Sequence, residues 1–111
     1  MVMSGSIAAA TAIVGYDLLK DDRRQQVQET RILEFLKLTG SGAAGDTKID
    51  LYIGDSFIGG FFNTATGFGN NDDEQQLPGV IVYPGEKIHL FVTDAPVTNP
   101  LNYKITERPI K

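Results

Sequence analysis

The sequence predicts an all-β protein, an antiparallel β-sandwich of jelly-roll type, and three observations carry that expectation. Short apolar runs recur along the chain, separated by turn residues every ten or so positions. Glycine occupies 12 of the 111 positions, above the usual share of about 7% and in keeping with turn-rich β structure. Two of the runs alternate clearly between an aliphatic face and a mainly polar one, the pattern of a strand with one face buried. A chain of this length supports one hydrophobic core and buries about two thirds of the surface that it exposes when unfolded.

The first apolar run covers residues 7–14 and predicts a first strand or a short packed segment. No Lys or Arg precedes it, and it is far shorter than the roughly 20 residues a bilayer needs, so it reads as neither a signal nor a span. The alternative is an arm that reaches a neighbouring subunit or a membrane surface. Residues 16–30 are the most polar part of the chain, with Lys20-Asp21-Asp22-Arg23-Arg24-Gln25-Gln26 at the centre. Leu18, Leu19 and Val27 are too few for a helical stripe, so this stretch is expected to be exposed. Residues 1–30 are thus an N-terminal arm or first strand plus a polar connection, and residues 31–111 the sandwich body.

In residues 31–38 the apolar Ile32, Leu33, Phe35, Leu36 and Leu38 fall on both faces, and periodicity fits a buried strand or a buried helix equally. The next element is clearer: Ile49, Leu51 and Ile53 alternate with Lys48, Asp50 and Tyr52. Gly54-Asp55 then supplies a tight hairpin turn into Phe57-Ile58. Gly59-Gly60 predicts a bulge or a close backbone approach, after which Phe61 and Phe62 continue the strand. Residues 63–76 read as a long polar loop. Val80-Ile81-Val82-Tyr83 forms a strand closed by Pro84-Gly85, the residues of a type II turn, which splays its flanks and so marks a corner between sheets. Ile88, Leu90 and Val92 alternate with Lys87, His89 and Phe91. Pro96 and Pro100 stiffen the following loop, and residues 101–106 form a short last strand.

Composition narrows the function. A net charge of −4 gives no positive field for phosphates, and Arg23 and Arg24 sit beside Asp21 and Asp22, so nucleic acid is not an expected partner. The absence of cysteine excludes disulfides, iron–sulfur clusters and thiolate zinc sites. Gly40-Ser41-Gly42-Ala43-Ala44-Gly45 matches the dinucleotide pattern letter for letter, but a strand follows it where that chemistry needs a helix N-terminus. Asn70-Asn71-Asp72-Asp73-Glu74 groups five oxygen-bearing side chains without the alternation of a calcium loop, and reads as a solvated acidic loop. His89, the lone histidine, has no second histidine or cysteine to share a metal. Asp46, Asp50, Asp55 and Asp94 are the carboxylates that a small hydrolase would have to bring together, and no large insertion is present to form its cleft. No enzyme activity and no cofactor are expected.

Aromatic residues point to binding instead. Tyr52, Tyr83, Phe61, Phe62 and Phe68 supply candidates for stacking on sugars or on a protein partner. Phe68, between Gly67 and Gly69 in the polar loop, has the placement of an anchor into a neighbour.

Two stretches carry a resemblance: Asp50-Leu51-Tyr52-Ile53-Gly54-Asp55-Ser56-Phe57-Ile58-Gly59, and Val82-Tyr83-Pro84-Gly85-Glu86-Lys87-Ile88-His89-Leu90-Phe91-Val92. Both resemble strands of small virion proteins, the single jelly-roll or β-sandwich subunits that serve as minor capsid, penton or spike components. Secreted adhesins and carbohydrate-binding modules use the same Pro-Gly-Glu corner. The resemblance implies a non-enzymatic structural subunit of a virion that assembles with copies of itself or other capsid proteins, through its sandwich faces and N-terminal segment. Ile7, Ile13, Val14, Phe68 and Tyr83 are the interface candidates on this reading. The alternative is a monomeric carbohydrate-binding or adhesive module that uses Tyr52, Tyr83 or Phe68.

Overall fold

The computed structural model describes residues 2–8, 11–20, 22, 25–40, 45, 47–64, 74–96 and 100–109. These form seven strands, β1 (Val2–Ile7), β2 (Arg31–Gly40), β3 (Lys48–Ile53), β4 (Ser56–Phe62), β5 (Gln75–Val82), β6 (Ile88–Asp94) and β7 (Leu101–Pro109), and no helix. All pairings are antiparallel, in a four-stranded sheet of order β1-β7-β2-β5 and a three-stranded sheet of order β4-β3-β6. The core lies between them: Leu33, Leu36 and Leu38 of β2 and Leu101, Tyr103 and Ile105 of β7 join one cluster with Ile49, Leu51 and Ile53 of β3 and Ile88, Leu90 and Val92 of β6. The predicted all-β sandwich is the observed fold.

Residues 31–38 are strand. Their alternation is unreadable in the sequence because the register of β2 against both neighbours shifts between Leu33 and Phe35, which turns Leu33 and Leu36 to the same side. β3 and β6 have the faces expected of them. Gly54 adopts φ +59 in the hairpin between β3 and β4. Leu51 pairs with Gly59 and Tyr52 with Phe57, so Ile58 is the extra residue of a bulge beside the glycine pair. At the Pro84-Gly85 turn, Gly85 has φ +89 and the Glu86 amide donates to the Tyr83 carbonyl at 3.1 Å. The chain crosses there from the four-stranded to the three-stranded sheet, as a splaying turn requires.

Some boundaries differ from expectation. β5 begins at Gln75, inside the stretch read as a loop, and tolerates Pro78 because it is an edge strand whose ladder shifts around Gly79 at φ +65. β7 runs on to Pro109. β1 precedes the apolar run at residues 7–14 and shares only Ile7 with it. It pairs with β7 along its whole length and places Met3 in the core, and Ala12 joins that core from the turn that follows.

The polar stretch at residues 16–30 departs furthest from its expected exposure. Leu18, Leu19 and Val27 retain 1%, 0% and 4% of their accessible surface. The segment runs along the free edge of β6. Gly15 donates to the Val92 carbonyl, Val92 to Tyr16, Leu18 to Leu90, Ile88 to Gln25, and Val27 to Glu86. Two isolated bridges, Asp17 to Phe91 and Gln26 to Lys87, mark the same alignment. Taken as the strand position after β1, this segment makes the sheets read first-eighth-third-sixth and second-seventh-fourth-fifth, the jelly-roll order. Sequence periodicity missed it because an irregular segment has none.

Candidate functional surface

The outer face of the three-stranded sheet holds the densest set of functional side chains. With Ile49, Leu51 and Ile53 turned inward, β3 must turn Lys48, Asp50 and Tyr52 outward. Directly opposed residues of an antiparallel pair share a face, so the register fixes their neighbours: Phe62 beside Lys48, Gly60 and Phe91 flanking Asp50, and Phe57 and His89 flanking Tyr52. Tyr52 meets Phe57 edge to face with ring centroids 5.5 Å apart, and meets Phe91 in the same way at 5.6 Å. His89 stacks on Phe91 at 5.1 Å with 13° between the planes. Phe57 and Phe62 stay 56% and 49% exposed, although aromatic rings of this size are normally covered.

Asp50 stands in the middle of this face, and its Oδ1 is buried without a hydrogen-bond partner. Gly60 is required opposite it. A Cβ there would lie 2.6 Å from Cε and 3.1 Å from Nζ of Lys48 and 3.2 Å from Oδ1 of Asp50, so the end of the lysine side chain lies across the space that glycine leaves. The Lys48 ammonium sits 5.8 Å from the Phe62 ring centroid.

One end of the face is braced by Asp17. Its Oδ1 accepts from the Leu19 and Leu90 amides, both at 3.0 Å, and so takes the place of a strand carbonyl on the edge of β6. Its Oδ2 lies 2.8 Å from Nδ1 of His89 and accepts from Nε2 of Gln25 at 2.6 Å. Both carboxylate oxygens hold structure together, and the contact fixes the imidazole against Phe91.

Of the interface candidates, Ile13, Val14 and Tyr83 are exposed, Ile7 packs partly buried against the core, and Phe68 lies outside the described residues. The carboxylates weighed for hydrolysis are dispersed: Asp55 lies in the hairpin at one end of β3, Asp94 faces Lys48 at the other, and Asp46 is outside the described residues. Gly40 ends β2 and β3 begins at Lys48, so strand follows strand around the glycine motif. Residues 70–73 of the acidic loop are outside the described set, and Glu74 pairs with Lys104 at 3.2 Å. Among the described residues no group of three or more His, Asp or Glu side chains is placed to hold a metal ion, and no helix is long and apolar enough to cross a membrane.

Sequence reasoning found Tyr52, Asp50 and Lys48 on one face but missed Phe57 as their neighbour, since the bulge at Ile58 offsets the count along β4. It also missed Asp17 and Gln25, whose signal lies only in the contact with His89. Comparison with known proteins finds no matching family model, no similar curated protein and no similar solved structure.

Proposed function

We propose that this chain is a non-enzymatic assembly subunit, a jelly-roll body that packs against copies of itself or a neighbouring shell protein, as a component of a virion. The observation that supports this reading is β4. Natural sheets blunt their edges with charge, proline, bulges or a covering segment, because an open edge pairs with other chains. Here β6 is covered by residues 15–20 and 25–27, and β5 carries Pro78 beside Gly79 at φ +65; β1, like β4, has neither charge nor proline but exposes Ser4 and Ser6 where β4 exposes phenylalanines. β4 reads Ser-Phe-Ile-Gly-Gly-Phe-Phe, with no charge and no proline; the bulge at Ile58 interrupts its pairing only near its start, and among the described residues only β3 pairs with it. Its half-exposed Phe57 and Phe62 are the anchors that a protein neighbour would cover.

The test is the double substitution Phe57→Lys and Phe62→Lys. Each lost aromatic anchor is worth about 2 kcal/mol, so self-association weakens by about 30-fold for one and toward about a thousandfold for both, and sedimentation velocity reads a shift toward the single chain while the far-UV spectrum is unchanged. An unaltered sedimentation profile would remove β4 as the contact.

A further inference from the structure

We propose that the outer face of the β4-β3-β6 sheet binds a neutral, polyhydroxylated ring, a carbohydrate, seated over Gly60 and Asp50 and inboard of the β4 edge. The first ground is Asp50. Buried polar atoms are almost always hydrogen-bonded, and a carboxylate oxygen left without a donor is the exception that calls for one. Its Oδ1 has none among the described residues, and it is held at the centre of the sheet, where β3 is paired on both sides. The second ground is the frame. Tyr52, Phe57 and Phe91 form a continuous edge-to-face chain beside that oxygen, an apolar platform of the kind on which the C–H faces of a sugar stack. The third is access. What lies over Gly60 is the end of the Lys48 side chain, Cε and the ammonium together, beside Asp50 and 5.8 Å from the Phe62 ring centroid. Rotation of that side chain opens the space a ring would fill and carries a hydrogen-bond donor with it.

Charge selects the ligand class. An organic cation would meet Asp50 and the rings but also the Lys48 ammonium, and an anion would meet the Asp50 carboxylate. A hydroxyl-rich neutral ring uses both, donating to Asp50 and accepting from Lys48 while its apolar face lies on the aromatics. The site is a shallow face rather than a cleft, so a single sugar binds with a dissociation constant on the order of 1 mM.

Amide NMR of isotopically labelled protein tests this, with the methyl glycosides of glucose, galactose, mannose and N-acetylglucosamine as probes and tetramethylammonium chloride as the cation control. At least one glycoside is expected to give saturable shifts at Asp50, Gly60 and Phe91. Asp50→Asn keeps the side-chain shape and removes the charge, and it weakens that binding by about tenfold or more, the effect of losing a charged acceptor. Should Asp50→Asn disturb the rest of the spectrum, Tyr52→Leu, which keeps bulk and removes the ring, reads the same site and also loses about tenfold. The proposal is overturned by the absence of saturable shifts with every glycoside, by affinity that neither substitution changes, or by tetramethylammonium shifting these amides more strongly than any sugar. Phe57 is common to both readings, so they are separated at Asp50: Asp50→Asn leaves Phe57 and Phe62 in place and is expected to weaken sugar binding while the sedimentation profile stays unchanged.

Discussion

Asp17→Ala is expected to lower the unfolding free energy by about 3 kcal/mol, far beyond the effect of a typical exposed aspartate. The reason is its position between two elements. Its Oδ1 serves the amides of Leu19 and Leu90, and its Oδ2 serves His89 and Gln25. A hydrogen bond to a charged group contributes about 1.5 to 3 kcal/mol, and truncation leaves several donors unmatched at once. Asp17→Asn, which retains Oδ1 for the two amides, is expected to lose only about 1 kcal/mol. Urea unfolding measures both, and hydrogen exchange localises the change: protection at Leu90 and Val92 falls, because residues 15–27 no longer hold to the edge of β6. A loss of less than about 1 kcal/mol for Asp17→Ala, with Leu90 still protected, would show that the segment is held by other means.

Leu19→Ala is expected to cost about 3 kcal/mol, the same order as removing a leucine from the centre of a regular strand such as Leu51. Leu19 is fully buried although it belongs to the most polar stretch of the chain, and no repacking of a seven-stranded core refills its volume completely. Its neighbour Lys20 is exposed, and Lys20→Ala should stay within about 0.5 kcal/mol. Thermal and urea midpoints of the two variants separate a structural segment from a surface loop. Equal, small effects at both positions would contradict the assignment of residues 15–27 to the missing strand position.

These two residues also show where sequence reading stops. β3 and β6 were legible because Ile49, Leu51, Ile53 and Ile88, Leu90, Val92 keep a period of two with an unbroken pleat. The corner at Pro84-Gly85 was legible because its chemistry is local to the turn. β2 was ambiguous since the bulge at Leu33 to Phe35 breaks the period, and no residue in it announces a bulge as glycine does elsewhere. The stretch at residues 16–30, expected to be exposed, departs from that expectation for a different reason. Its buried positions, 18, 19 and 27, follow no period, and one of its contacts with β6 runs through the Asp17 side chain in place of a carbonyl. Alternation alone put Lys48, Asp50 and Tyr52 together on the candidate face. The contribution of Phe57 depends on a bulge count, and the unmatched oxygen of Asp50 depends on packing around Gly60 that only the three-dimensional arrangement reveals.

The assembly reading and the carbohydrate site share Phe57, which is one of the half-exposed rings a neighbour along β4 would cover and also belongs to the ring set beside Asp50. A neighbour that buries Phe57 therefore competes with a sugar for that ring, while Asp50 serves the carbohydrate site alone.

The most direct test of the assembly reading is the absolute mass in solution, by light scattering after size exclusion, over a range of protein and salt concentrations. A single chain is 12.1 kDa. The account predicts a multiple of that mass which falls on dilution and persists at high salt, because an uncharged strand and exposed phenylalanines are not screened by ions. A mass of 12.1 kDa at every concentration and every salt level would contradict it.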